Sequence, residues 1–202
     1  MSNNIDKIFY INLNKRTDRR LEIENELNNF DLSFERFEAI ETSDFGIYGC
    51  GLSHLGVLKI SKERGYKNVL ILEDDFTFLV SKEEFENNLT KFFESEINYD
   101  VCKLAYNLHE FQEINNETLG KIVYSATASA YIVNNHYFEK LINLYELAMP
   151  LLNSTKRHWI YANDQIWKDY QKQDNWYYFK IRIGKQRPSY SDNGQNFTDY
   201  NV

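Results

Sequence analysis

Residues 69–72 (Val-Leu-Ile-Leu) constrain this chain more than any other segment. They are apolar without interruption, whereas a strand with one wet face alternates apolar and polar residues. An unbroken apolar run of this length is the mark of a strand buried on both faces, as in a parallel sheet covered by helices. The run stops at Glu73-Asp74-Asp75. In open α/β sheets, ligands bind beyond the carboxyl ends of the strands. The three acids therefore stand where a site is expected. The competing reading is an acidic turn facing solvent.

The rest of the chain fits such a sheet. Lys7 to Leu13 reads as a first strand, and Phe34 to Ala39 as a second. Between them a helix capped by Thr17 runs to about Asn29, with Leu21, Ile23, Leu27 and Phe30 on its apolar face. Thr42 to Gly51 reads as a turn containing Gly46, Gly49 and Gly51, followed by a helix from Leu52 to Arg64 with Gly65 at its end. Ser81 and Glu84 form a capping box for a helix reaching Phe93. Short strands are expected in Val101–Tyr106 and Thr127–Val133, and a late one over Trp176–Ile183. Helices are expected over His136–Leu147, ending before Pro150, and over Asp164–Tyr170. From Gly184 onward the Gly-, Ser-, Asn- and Gln-rich sequence predicts a loop or tail. The organisation is thus one domain over residues 1–183, with 184–202 as a tail able to close over the site.

Composition narrows the class. The chain of 202 residues suffices for one domain with a full core. Its net charge of -7 argues against nucleic acid as a partner, since such a surface repels a phosphate backbone. Lys15, Arg16, Arg19 and Arg20 form a local basic group large enough for one pyrophosphate. The N-terminal residues do not resemble a signal peptide, and no apolar run approaches the roughly 20 residues of a membrane span. A soluble protein, cytoplasmic or facing the cytoplasm, is the expectation. Cys50 and Cys102 lie outside any CxxC or zinc-type spacing, so two free thiols are expected.

Adjacent carboxylates repel one another, so a pocket that holds them favours a cation. Carboxylate and diphosphate oxygens together suit Mg²⁺ or Mn²⁺. Residues 12–20 contain no glycine, which counts against a nucleotidyltransferase or Walker-type phosphate loop after the first strand.

Three motifs occur in order: Tyr10-Ile11-Asn12-Leu13 with Arg16, Asp18, Arg19 and Arg20; Gly49-Cys50 with Leu52-Ser53-His54; and Leu72-Glu73-Asp74-Asp75. Together they resemble glycosyltransferase family 25, which includes bacterial lipooligosaccharide galactosyltransferases and relatives of the collagen galactosyltransferases. Asp164 and the segment Gln186–Ser191 resemble later family positions more weakly. The resemblance implies a GT-A-like, Rossmann-like α/β domain with a mostly parallel mixed sheet flanked by helices. It implies metal-dependent transfer of galactose or glucose from a UDP-sugar to a hydroxyl of a glycan or glycoconjugate such as lipopolysaccharide, with inversion. A catalytically inactive nucleotide-sugar or glycan-binding relative is the alternative.

The resemblance also implies roles. Asn12 is expected at the base or ribose, and Arg16 or Arg19 at the diphosphate, where guanidinium forks match phosphate oxygens. Ser53 and His54, read as lying near a helix start, are expected to face donor oxygens. Asp75 is the expected metal ligand, Glu73 a secondary contact to metal or ribose, and Asp74 a support for the donor sugar or its loop. Asp164 is the candidate base, the plainer reading being a helix N-cap. His109, His158 and Asp192 are loose candidates for further metal ligands, and Trp159 for a wall of the acceptor site.

Overall fold

The structure is a computed structural model that describes residues 4–191 and 196–198. Its centre is a six-stranded sheet. In chain order the strands are β1 (Lys7–Asn12), β2 (Phe34–Glu38), β3 (Asn68–Glu73), β5 (Val101–Gln112), β6 (Leu119–Asn134) and β7 (Trp176–Phe179). Across the sheet the order is β2-β1-β3-β6-β5-β7. β1 pairs in parallel with both β2 and β3, β5 pairs in parallel with β7, and β6 runs against β3, β5 and β7. The result is the mostly parallel mixed sheet of an α/β domain, as the apolar run at residues 69–72 predicts.

The run is unbroken because both faces are covered. Val69 and Ile71 join Phe9 and Ile11 in a core with helices α2 (Gly46–Glu63) and α4 (Asn135–Thr155). Leu70 and Leu72 join Ile8 and Tyr10 in a second core with helices α1 (Thr17–Asn29) and α3 (Lys82–Glu94). All four residues from Val69 to Leu72 are fully buried. Each such side chain contributes roughly 1.5–3 kcal/mol on burial. α3 carries the expected capping box, Ser81 and Glu84 each satisfying the other's backbone N–H. Gly65, at φ 69°, ends α2 in a Schellman turn: its N–H bonds the Lys62 carbonyl and that of Tyr66 bonds the Ser61 carbonyl.

Several boundaries differ from expectation. Thr17 is the first helical residue of α1 and Arg16 stands at the cap without a side-chain cap bond, while Leu21 is 63% exposed. α2 begins at Gly46, so Gly49 and Gly51 lie inside a helix and not in a turn. A Cβ on Gly49 would lie 2.3 Å from the Ile40 carbonyl oxygen, and one on Gly51 would lie 2.4 Å from Met149 Sδ. These glycines serve close packing. α4 continues through Pro150 to Thr155. β5 and β6 form a hairpin far longer than the two short strands expected. α5 (His158–Tyr161) precedes a turn containing Asp164, and α6 starts only at Lys168, so Asp164 is not its N-cap. β7 stops at Phe179. The segment after Gly184 is not loop alone: β8 (Gly184–Gln186) pairs with β4 (Phe76–Phe78), just beyond the acidic residues, and β9 (Ser189–Ser191) pairs with β10 (Asn196–Thr198). Asp192 lies outside the described residues. No helix of the described residues is long and apolar enough to cross a membrane.

The contrast between the two α2 glycines is testable. Gly49→Ala drives a methyl into backbone and is expected to cost about 1–3 kcal/mol in urea unfolding. Gly51→Ala meets the far end of a flexible Met149 and is expected to lie within about 1 kcal/mol of wild type. Equal losses would contradict the packing account.

Candidate functional site

The site forms where β1 and β3 end side by side, Ile11 opposite Glu73. The strand stops at Glu73, and Asp74 and Asp75 form a turn before β4. The three carboxylates therefore diverge. Asp74 turns toward β1 and α1. Its Oδ2 accepts from Asn12 Nδ2 at 2.7 Å, and its Oδ1 from an Arg19 terminal nitrogen at 2.9 Å. The same Arg19 nitrogen reaches Asp75 Oδ2 at 3.2 Å. Glu73 turns toward α2, where its Oε1 lies 3.1 Å from His54 Nε2 and 3.5 Å from Cys50 Sγ. Its other oxygen faces Gln186 Nε2 at 3.5 Å.

The electrostatics follow from these partners. Burial raises Glu73, but the His54 hydrogen bond, the Cys50 contact and Arg19 outweigh it and hold the carboxyl below its ordinary range. Burial keeps Asp74 above its ordinary value although Arg19 and Asn12 pull it down. Asp75 is pushed up to about 7 by burial first and the Glu73 charge second, against the pull of Arg19. Its Oδ1 is buried without a hydrogen-bond donor in good geometry among the described residues, the Gln186 amide giving only a lesser stabilisation. A buried carboxylate oxygen with no donor, amid other acids, suits a cation. Asp75 Oδ1 is therefore an atom that could hold a cation.

Around this centre the other expected residues fall into place unequally. Asn12 is 1% exposed, and its polar atoms are engaged: Nδ2 also reaches the Arg16 carbonyl at 3.0 Å, and Oδ1 accepts from Arg36 Nε at 3.1 Å. Arg16 grips Asp18 through Nε at 3.0 Å and a terminal nitrogen at 2.8 Å, whereas Arg19 is the arginine that meets the acids. Ser53 and His54 sit two turns inside α2 and not at its start. Ser53 donates to the Gly49 carbonyl at 2.7 Å and accepts from the Ile40 N–H at 2.8 Å, so it ties the helix to the preceding loop. His54 is fully buried, with Nδ1 2.9 Å from the Tyr131 hydroxyl. Its two ring nitrogens thus face a carboxylate on one side and a hydroxyl on the other.

Asp164 reaches the same centre from far along the chain. Its Oδ2 accepts from the Thr127 N–H at 3.0 Å. The Cys50 thiol is driven well up by burial, then by Glu73, with the charges of Asp164 and Asp75 adding to it. Asn163 Nδ2 points at Cys50 Sγ from 3.7 Å. Cys50 and Cys102 are both free thiols.

Several residues at the centre carried no expectation. Thr127 holds φ at 65°, a left-handed conformation that costs a β-branched residue on the order of 1–3 kcal/mol. Its hydroxyl donates to Gln186 Oε1 at 3.1 Å. Its carbonyl accepts from the fully buried Lys103 at 2.7 Å, which also reaches the Ala126 carbonyl at 2.9 Å and Ser125 Oγ at 3.1 Å. Burial brings Lys103 down to about 7, with Asp164 opposing. A lysine inside the apolar run Val101–Tyr106 was the available signal. For Cys50 it was the four-residue spacing to His54, which puts both on one helix face. For Gln186 it was the weak resemblance of the segment Gln186–Ser191 to a later family position, and for Thr127 the small residues of the strand it opens. Among the described residues, one group of nitrogen, sulfur and oxygen donors is placed to hold a metal ion: Cys50, His54 and Glu73. His109 stacks on Tyr124 and His158 lies against Trp159. Trp159 is 61% exposed and lines an apolar groove of about 410 Å³ between α4 and α5, which also reaches Gln165.

The fold and site together define a mixed α/β domain with an acidic centre at the strand ends. No protein-family model matches the chain, and no curated protein sequence does either. Among solved structures it is similar to A197 from STIV, at 14% identity and a TM-score of 0.48, covering 85% of this chain and 80% of that one. It is similar to mannose-1-phosphate geranyltransferase from Thermus thermophilus, at 8% identity and a TM-score of 0.48, covering 89% of this chain but 58% of the other. It is also similar to a glycosyltransferase involved in glycosylation of the major capsid of PBCV-1, at 10% identity and a TM-score of 0.45, covering 87% and 92%. Likeness at this level decides nothing about the reaction.

The Asp75 environment has a consequence for stability. Its carboxyl is raised from 3.8 to about 7 in the folded protein, so between those values the native state holds a proton that the unfolded chain releases. Stability from this group therefore falls as pH rises from about 4 to about 7, and levels off above. Asp75→Asn lacks that slope. In EDTA it is expected to gain about 1–4 kcal/mol on wild type between pH 4 and pH 8 in urea unfolding. A pH-independent difference would contradict the burial of a strained carboxylate.

Proposed function

We propose that this chain is a metal-dependent glycosyltransferase that moves a hexose from a UDP-sugar to a hydroxyl of a glycan or glycoconjugate. The observation that carries the reading is Asp75: a buried carboxylate with one oxygen free of a good donor, at the end of a doubly covered strand, with Asp164 linked to the neighbouring Glu73 through Thr127 and Gln186. The family 25 resemblance of the three sequence motifs supplies the donor class, galactose or glucose on UDP.

In this reading Asp75 holds Mn²⁺ or Mg²⁺, with Glu73 as its lesser neighbour, and the ion supplies Lewis-acid neutralisation of the departing diphosphate. Arg19 keeps Asp74 and Asp75 together and adds positive charge beside the diphosphate. Arg16, one turn away, lies where its guanidinium can join when it releases Asp18. Asn12 acts from behind, fixing Asp74. His54 keeps Glu73 ionised and turned inward, and Ser53 fixes the helix that carries it. Asp164 takes the proton from the acceptor hydroxyl as its oxygen bonds to the anomeric carbon. The bond to the diphosphate oxygen breaks on the opposite face, so the configuration inverts. A positioned base of this kind contributes roughly 10²–10⁴-fold. The segment Gly184–Arg187, paired to β4 and touching Glu73 and Thr127 through Gln186, closes the site from the tail.

The test is nucleoside diphosphate release from a panel of UDP- and GDP-sugars, with Mn²⁺, Mg²⁺ or EDTA, and with a mixed set of glycan acceptors. Turnover of one UDP-hexose that needs metal is expected. Asp75→Asn should lose it by at least about 10²-fold, and Asp164→Asn should lose transfer by roughly 10²–10⁴-fold while still binding UDP. Metal-dependent UDP binding without turnover would mark a binding-only relative. Absence of nucleotide binding would overturn the donor-site assignment.

A further inference from the structure

We propose that Cys50, His54 and Glu73 form a second metal site, for a borderline-soft divalent cation of the zinc class, adjoining the oxygen site at Asp75 through Glu73. α2 presents Cys50 and His54 on one face, four residues apart, against the end of β3. Cys50 Sγ lies 3.5 Å from Glu73 Oε1, and His54 Nε2 lies 3.1 Å from the same oxygen. All three donor atoms fall within 4.8 Å of one another. Zinc bonds to sulfur, nitrogen and oxygen place tetrahedral S···O and N···O edges at about 3.5 Å and about 3.3 Å. The protein already holds these two edges close to those lengths, and the sulfur and the nitrogen lie within 4.8 Å of each other.

Each donor also has its own orienting partner. Asn163 Nδ2 faces Cys50 Sγ, the Tyr131 hydroxyl faces His54 Nδ1, and Gln186 Nε2 faces the outer oxygen of Glu73. Such outer partners fix the rings and carboxylates that ligate metals. On binding, the Nε2 proton of His54 moves to Nδ1, where the Tyr131 oxygen accepts it, and Nε2 gives its lone pair to the ion. The Cys50 thiol releases its proton to solvent as the sulfur–metal bond forms. One sulfur, one nitrogen and one oxygen match zinc or cobalt, whereas Mg²⁺ and Mn²⁺ take all-oxygen sites. His54 is fully buried, while Cys50 and Glu73 are partly exposed. Three protein ligands leave a fourth position for water or a ligand oxygen. Glu73 is the residue this site shares with the oxygen site, but its sulfur and nitrogen donors are its own, so its test needs no sugar transfer.

Co²⁺ titration of the full-length reduced protein tests it. One equivalent is expected to give the near-ultraviolet thiolate-to-cobalt band and the visible bands of a tetrahedral ion, both abolished by Zn²⁺ competition. The thiolate band should disappear in Cys50→Ser and persist in Cys102→Ser and in Asp75→Asn. Tyr131→Phe should weaken Zn²⁺ binding by about 10–100-fold with the band still present at saturation. If Cys50→Ser fails to fold by circular dichroism, Cys50→Ala and Glu73→Gln take its place. No thiolate band in wild type, or one that survives loss of Cys50, would overturn the site; loss in Cys102→Ser would assign the band to the wrong thiol and overturn it equally.

Discussion

The candidate site depends on one buried carboxylate. Asp74 receives an amide from β1 and a guanidinium from α1, and so ties the ends of two strands to the helix between them. A buried charge is costly unless paired and hydrogen-bonded. Here Asn12 is itself held by Arg36 and by the Arg16 carbonyl, so the pairing rests on a nearly closed network. Because Asp74 is committed inward to β1, its neighbours on either side are directed elsewhere. Glu73 points to α2, and Asp75 is left beside the tail strand β8, where the Arg187 N–H bonds the Asp75 carbonyl. One tether therefore separates three adjacent acids into three environments, and their pKa values part accordingly.

The strand before the acids was legible because burial on both faces leaves a pattern that no surface element shares. The capping box of α3 was legible because two residues three apart satisfy each other locally. What could not be read are features decided by distant neighbours. Gly46, Gly49 and Gly51 look like turn residues, yet all three are helical: the Ile40 carbonyl leaves no room for a Cβ on Gly49, and the Met149 side chain packs against Gly51. Pro150 looks like a stop, yet α4 carries buried Met149 and Leu152 on either side of it, and that packing outweighs the missing N–H. β5 and β6 were cut short because their register shifts break the apolar alternation.

The site divides in the same way. Glu73, Asp74 and Asp75 announced themselves by adjacency at a strand end. The ordering of the arginines did not follow from sequence: Arg16 is nearer the strand but turns to Asp18, and Arg19, one turn on, faces the acids. Asp164 was nameable through resemblance alone, and its position as a capping residue was the natural local reading. Its actual partner is the N–H of Thr127, a contact across 37 residues. No local pattern encodes that.

That contact leads to the least expected feature of the molecule. Thr127 is held left-handed, which opposes its own side chain, so something must compensate. Its three polar groups supply the answer in part: N–H to Asp164, hydroxyl to Gln186, carbonyl to Lys103. Lys103 is the costly element, a lysine without exposure on a central strand. It is tolerated because three oxygens from Ser125 to Thr127 receive it, and because the Asp164 charge and the Trp167 ring, 5.3 Å away, lie beside it. Without the lysine the Ala126 and Thr127 carbonyls would lose the donor they share. At the left-handed Thr127 the N–H faces Asp164 and the hydroxyl faces Gln186. The acids at the end of β3 are thus fixed on one side by Asn12 and Arg19, while the elements facing them from the second half of the chain meet around a buried lysine one strand further along.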